Sequence, residues 1–152
     1  MAYATAEARQ DLLDSVAEAT DHLAGALAAV GAAYEALDEQ SGDRLEAEVF
    51  RPVQLAYGRS QRTHAGFAER HGLPSRKFAS ASAGLPSQGV KGFLERAAQE
   101  LGEAELTLTS LQDSMLPVEV GDAELRTGLA EVRELMAPVP ERTQNFVSRF
   151  GR

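Results

Sequence analysis

The stretch from 13 to 37 narrows the possible folds more than any other part of this chain. Read in sevens, Leu13, Thr20, Leu27 and Tyr34 fall at one position, and Val16, Leu23, Val30 and Leu37 at another. Alternating steps of three and four keep these side chains on one stripe of a helix, and such a stripe must be covered by other helices. Its flanks are small: Ala17, Ala24 and Gly31 on one side, Ala19, Ala26 and Ala33 on the other. Small flanks let neighbouring backbones approach, so the sequence predicts a helix surrounded by partners.

The other seams repeat the pattern. Helices are expected over 5–39, 44–71, 88–116 and 122–150, with a short helical crossover over 72–87. Thr5 reads as the first N-cap. Ser41-Gly42-Asp43 reads as the end of the first helix and the start of the second, with Asp43 and Glu46 spaced like a capping box. The second seam is Phe50, Val53, Tyr57, Ser60, His64 and Phe67. Pro52 has no N–H for the carbonyl of Glu48, which predicts a kink or a late helix start. Gly72-Leu73-Pro74-Ser75 recurs as Gly84-Leu85-Pro86-Ser87, each copy a helix stop followed by a proline and a capping serine. In the third helix Leu94, Leu101, Leu108 and Met115 alternate with Val90, Ala97, Ala104 and Leu111. Asp122 caps a fourth helix that Pro138 and Pro140 kink. No segment shows the period-two alternation of an amphipathic strand. The expectation is an all-α single domain over 1–152, an antiparallel up-down-up-down four-helix bundle.

Charge restricts the partners. Fifteen basic residues against 23 acidic ones give a net −8, which argues against nucleic acid. There is no cysteine, so disulfides, thiolate metal sites and a cysteine nucleophile are excluded. The charge-free run at 23–34 is too short and too rich in Ala and Gly to span a bilayer. With no basic segment leading into an apolar run near Met1, a cytoplasmic setting is expected. An alanine-rich chain with many arginines and only Lys77 and Lys91 as lysines suits a GC-rich bacterial genome.

The charge is also uneven. Between Val49 and Leu94 seven basic residues face one acid, Glu69, a net +6 that leaves −14 on the rest. Two readings follow. These arginines stitch the zone to acidic faces of other helices, or Ser75, Arg76, Lys77, Ser87 and Lys91 bind a small anion or an acidic protein segment at a helix N-terminus.

The sequence carries no motif of a known reaction chemistry. Ala19, Gln61 and Ala68 precede His22, His64 and His71 by three, so the Glu-x-x-His of di-iron bundles is absent. Asp14, Glu18 and His22 share a helix face without a second shell, so no metal is expected. Histidine phosphotransfer domains carry Lys then Gly starting three residues after an exposed His; here Gly25 and Phe67 stand at that offset from His22 and His64. Thr20, Ser60 and His64 occupy seam positions and are expected to meet as a polar core layer, either a hydrogen-bonded register device or a small pocket with His64 as base. No cofactor is implied. The reading is a non-enzymatic interaction protein. A homodimer is expected through 24–33, because the side away from the seam carries only Gly25, Ala28, Ala29 and Ala32.

Overall fold

The computed structural model describes residues 2–150, with side chains from 6 onward. Every regular element among them is helical. The α-helices are α1 (Ala2–Ala36), α2 (Glu39–Leu45), α3 (Arg51–His71), α4 (Gly89–Asp113), α5 (Leu116–Val120), α6 (Ala123–Met136) and α7 (Val139–Phe150). A π-turn (Glu46–Phe50) joins α2 to α3, and a 3₁₀ turn (Pro86–Gln88) leads into α4. The expected cap at Thr5 lies outside the described side chains.

Local chemistry explains the breaks, and several differ from expectation. The first break falls before Ser41. Asp38 caps α2 by accepting from the Ser41 N–H at 3.1 Å, so Gly42 and Asp43 lie inside α2. At Pro52 the second of the two expected outcomes holds: α3 starts at Arg51 with Pro52 in its first turn, and the backbone ahead of it widens into the π-turn. The Glu48 carbonyl, which Pro52 cannot serve, accepts from Arg142 Nη1 at 3.0 Å. At the end of α3, Gly72 takes φ +65°, and the Leu73 and Gly72 N–H groups return to the Ala68 and Glu69 carbonyls. This is the αL stop that the glycine predicts. Met115, expected in the core at the end of the third helix, instead has φ +67° and is half-exposed, because α4 stops at Asp113 and Pro117 opens α5.

The crossover departs most from the expected short helix. Residues 73–85 form no helix. The second Gly-Leu-Pro-Ser copy has no helix ahead of it to terminate, so Leu85 stays exposed; neither the 3₁₀ turn nor α4 has a side-chain cap. The path matters more. Arg70 and His71, at the end of α3, hold Asp122 at the start of α6. The end of α4 leads through α5 to the same Asp122. Thus α3 and α4 finish at one end of the molecule and point the same way, which a strictly alternating up-down-up-down order does not give. The crossover therefore runs lengthwise. Fourteen residues at about 3.3 Å each reach roughly 46 Å; α4 itself rises roughly 37 Å.

One contiguous apolar cluster fills the interior. The predicted stripe supplies Leu13, Val16, Leu23 and Val30, and Leu12, Ala19, Ala26, Ala29 and Ala33 are equally buried. The most extensive helix pair is α1 with α4; α1 also packs on α3, α3 on α6, and α4 on α7. The small residues of α1 are used inside the chain. Ala29 is buried, and the Glu100 carboxylate of α4 lies over Gly25, where an added Cβ would meet Glu100 Cδ at 3.0 Å.

Candidate functional site

Of the three residues expected in the polar layer, Thr20 and Ser60 meet, and no hydrogen bond among the described residues joins His64 to them. Thr20 and Ser60 are fully buried, with their hydroxyl oxygens 2.5 Å apart. The Thr20 hydroxyl donates to the Val16 carbonyl at 2.7 Å, so its one proton is committed and Ser60 must be the donor to Thr20. Neither hydroxyl is directed at solvent or at a base.

His64, one turn beyond Ser60, is buried, and its Nδ1 has no hydrogen-bond partner among the described residues. Its ring meets Phe78 of the crossover edge-on, centroids 5.1 Å apart. Arg76 lies over the other side of this contact, its guanidinium 4.4 Å from the Phe78 ring centre, and is ion-paired to Asp21 of α1. The sequence Asp21, Arg76, Phe78, His64 thus fastens the crossover across α1 and α3. Burial, with the charge of Arg76 adding to it, lowers the His64 pKa, while Asp14 and Asp21 oppose. His64 is therefore neutral near pH 7. The unfolded chain binds a proton below about pH 6.5 and the folded chain does so only at lower pH, so stability falls on acidification. In denaturation series, His64→Leu is expected to remove part of that fall, a contribution of at most about 1.4 kcal/mol per pH unit for one proton. Equal pH slopes in the two proteins would show that His64 does not titrate on unfolding.

The basic zone is mostly neutralised. Arg59 pairs with Glu131, Arg70 with Asp122 and Glu124, Arg76 with Asp21, Lys91 with Glu95 at 3.7 Å, and Arg51 with Glu46 at 3.9 Å. Arg62 and Lys77 have no ion pair among the described residues. Ser75, Arg76 and Lys77 lie on the exposed crossover, and Ser87 and Lys91 at the start of α4. No hydrogen bond or ion pair among the described residues joins the two groups. His22, considered as a metal ligand with Asp14 and Glu18, faces Glu100 of α4 at 3.3 Å instead. No group of His, Asp and Glu among the described residues has the geometry to hold a metal ion. No described helix is long and apolar enough to cross a membrane.

Two surface concavities were not legible in the sequence. One is a groove of about 610 Å³ between α3 and α6, with walls from Ala47, Pro52, Leu55, Leu135 and Pro138. Arg51, Glu131 and Glu134 rim it, and Leu55 is 55% exposed. The other is a cleft of about 190 Å³ between α2 and α7, lined by Arg44, Glu48, Arg142, Asn145, Phe146 and Arg149. The spacing of Arg142, Asn145 and Arg149, at i, i+3 and i+7, is the signal that places them on one helix face.

The class these features define is an all-helical protein with a buried Thr20–Ser60 pair and several open surface concavities. Comparison with known proteins returns no matching family model, no matching curated protein and no matching solved structure.

Proposed function

We propose that this chain is a non-catalytic interaction protein that pairs with a second copy of itself through the α3–α6 groove. The observation that carries the reading is Leu55, a large apolar side chain half in solvent between apolar walls. Exposed apolar surface rimmed by polar groups marks interaction sites. The rim carries both signs, Arg51 with Glu131 and Glu134, as a self-complementary two-fold contact requires. The small face of 24–33 is the weaker surface for a dimer, because Gly25 and Ala29 are already covered within the chain.

The same reading includes a four-helix bundle in which each rod is antiparallel to the two it touches. It is supported by the Thr20–Ser60 contact between α1 and α3 and by the Arg59–Glu131 and Arg70–Asp122 pairs between α3 and α6. An anion site at Ser75, Arg76, Lys77, Ser87 and Lys91 has less support, since carboxylates engage Arg76 and Lys91.

Light scattering tests the dimer. The wild-type chain is expected to scatter as a dimer, Leu55→Glu as a monomer with an unchanged circular dichroism spectrum, and Ala28→Glu still as a dimer. A wild-type monomer at high concentration would refute self-association. Loss of the dimer in Ala28→Glu alone would move the interface to α1.

A further inference from the structure

We infer that the cleft between α2 and α7 binds a dianionic tetrahedral oxyanion, a phosphoryl or sulfuryl group. The inference does not depend on self-association. Three arginines line this cleft from two elements: Arg44 from the last turn of α2, and Arg142 and Arg149 about two turns apart on one face of α7. Glu48 is the one acid in the lining, so the walls carry a net +2. It lies 3.8 Å from Arg44 and makes no ion pair with Arg142 or Arg149.

What sets this cleft apart is that three arginines, two of them without a carboxylate, share one depression, since Arg62, Arg96, Arg126 and Arg133 also hold no carboxylate among the described residues. The chain carries a surplus of acids, and Arg59, Arg70 and Arg76 each hold a carboxylate from another element. Arg142 and Arg149 hold none among the described residues. Like charges gathered round one depression repel, and an anion of matching charge removes that repulsion.

The site is also prearranged. Arg142 is tethered through Nη1 to the Glu48 carbonyl, the acceptor that Pro52 leaves without a backbone donor. Arg44 rests near the Phe146 ring, 5.9 Å from its centre. Phe146 is buried and stacked on Phe150, so the floor is fixed. Asn145 adds an amide. A planar carboxylate offers two oxygens, whereas donors approaching from several directions suit a tetrahedral group with three or four.

Calorimetric titration of the full chain at low ionic strength, with inorganic phosphate, sulfate, phenyl phosphate and succinate as probes, tests this. Saturable single-site binding of phosphate and sulfate is expected, weakening with added sodium chloride. Arg149→Ala and Arg44→Ala should each lower the affinity at least about tenfold while leaving the melt in chloride unchanged. Lys77→Ala combined with Lys91→Ala should leave it intact. Phenyl phosphate binding more tightly than phosphate assigns an ester as the natural source, and the reverse assigns the free ion. Absence of saturable binding, unchanged affinity in Arg149→Ala, or loss in the double lysine variant overturns the site. Succinate binding as tightly as phosphate overturns the tetrahedral assignment.

Discussion

Asp122→Ala is expected to lower the melting temperature by roughly 6–12 °C, about 3 kcal/mol for a chain of this size. One carboxylate does three things. It caps α6 by accepting from the Leu125 N–H at 2.8 Å, takes two hydrogen bonds from Arg70 at 2.8 and 2.9 Å, and takes a third partner, His71 Nε2, at 2.7 Å. A lost cap alone costs about 1 kcal/mol. Removing a buried acid leaves Arg70 short of a counter-charge and His71 without its hydrogen-bond partner, although Arg70 keeps Glu124 and partial solvent, which moderates the loss. Burial by itself would raise the Asp122 pKa; hydrogen bonds from Arg70, Leu125 and His71 and the charge of Arg70 outweigh it and hold the group at about 2. The sign follows. A carboxylate whose pKa is depressed on folding contributes stability above its unfolded value, near 3.8, and loses it as pH falls toward 2. The acid limb of the stability profile should therefore flatten in Asp122→Ala. Asp122→Asn, which keeps an acceptor for the cap, should lose about half as much. A melt within about 1 °C of wild type for the alanine variant would contradict the role given to this residue.

Gly128→Val is expected to cost about 3 kcal/mol, against the small gain that removing a helix glycine usually brings. α6 crosses α3 so closely at Gly128 that a Cβ there would stand 2.9 Å from Thr63 Cγ2 and 3.1 Å from Thr63 Cβ, and closer still to Thr63 Oγ1. Thr63 cannot turn away. It is β-branched and buried, and its hydroxyl donates to the Arg59 carbonyl at 2.8 Å. Gly128→Ala should be milder, and Thr63→Ala should rescue it, giving a favourable coupling of roughly 1 kcal/mol in a double-mutant cycle by denaturation. Additive losses would mean that the two helices separate freely at this point.

The sequence carried much of the fold because periodicity is a local signal. The stripes on α1, α3 and α4, the cap at Asp122 and the αL stop at Gly72 each depend on residues within two turns of one another. The path of the crossover was not legible in this way. Two similar Gly-Leu-Pro-Ser strings look alike locally, but only the first follows a helix, and the direction of the chain after it is fixed by Arg70 and His71 meeting Asp122 some fifty residues later. The polar layer was legible as far as Thr20 and Ser60, whose seam positions bring them together. Phe78 as the cover of His64 was not, since it lies in a segment without a period. The arginine cleft was missed because Arg44 and Arg142 are distant in sequence, and a charge count that divides the chain at Val49 and Leu94 leaves all three arginines in the acidic remainder.

Laying the crossover along the body has a kinetic consequence. It brings α1 against α4, and His22 meets Glu100 across 78 positions of chain. Helical proteins fold fast when their contacts are near in sequence. Here the most extensive helix pair cannot close until the second half of the chain exists, so during synthesis the side of α1 that α4 covers waits for a partner made later.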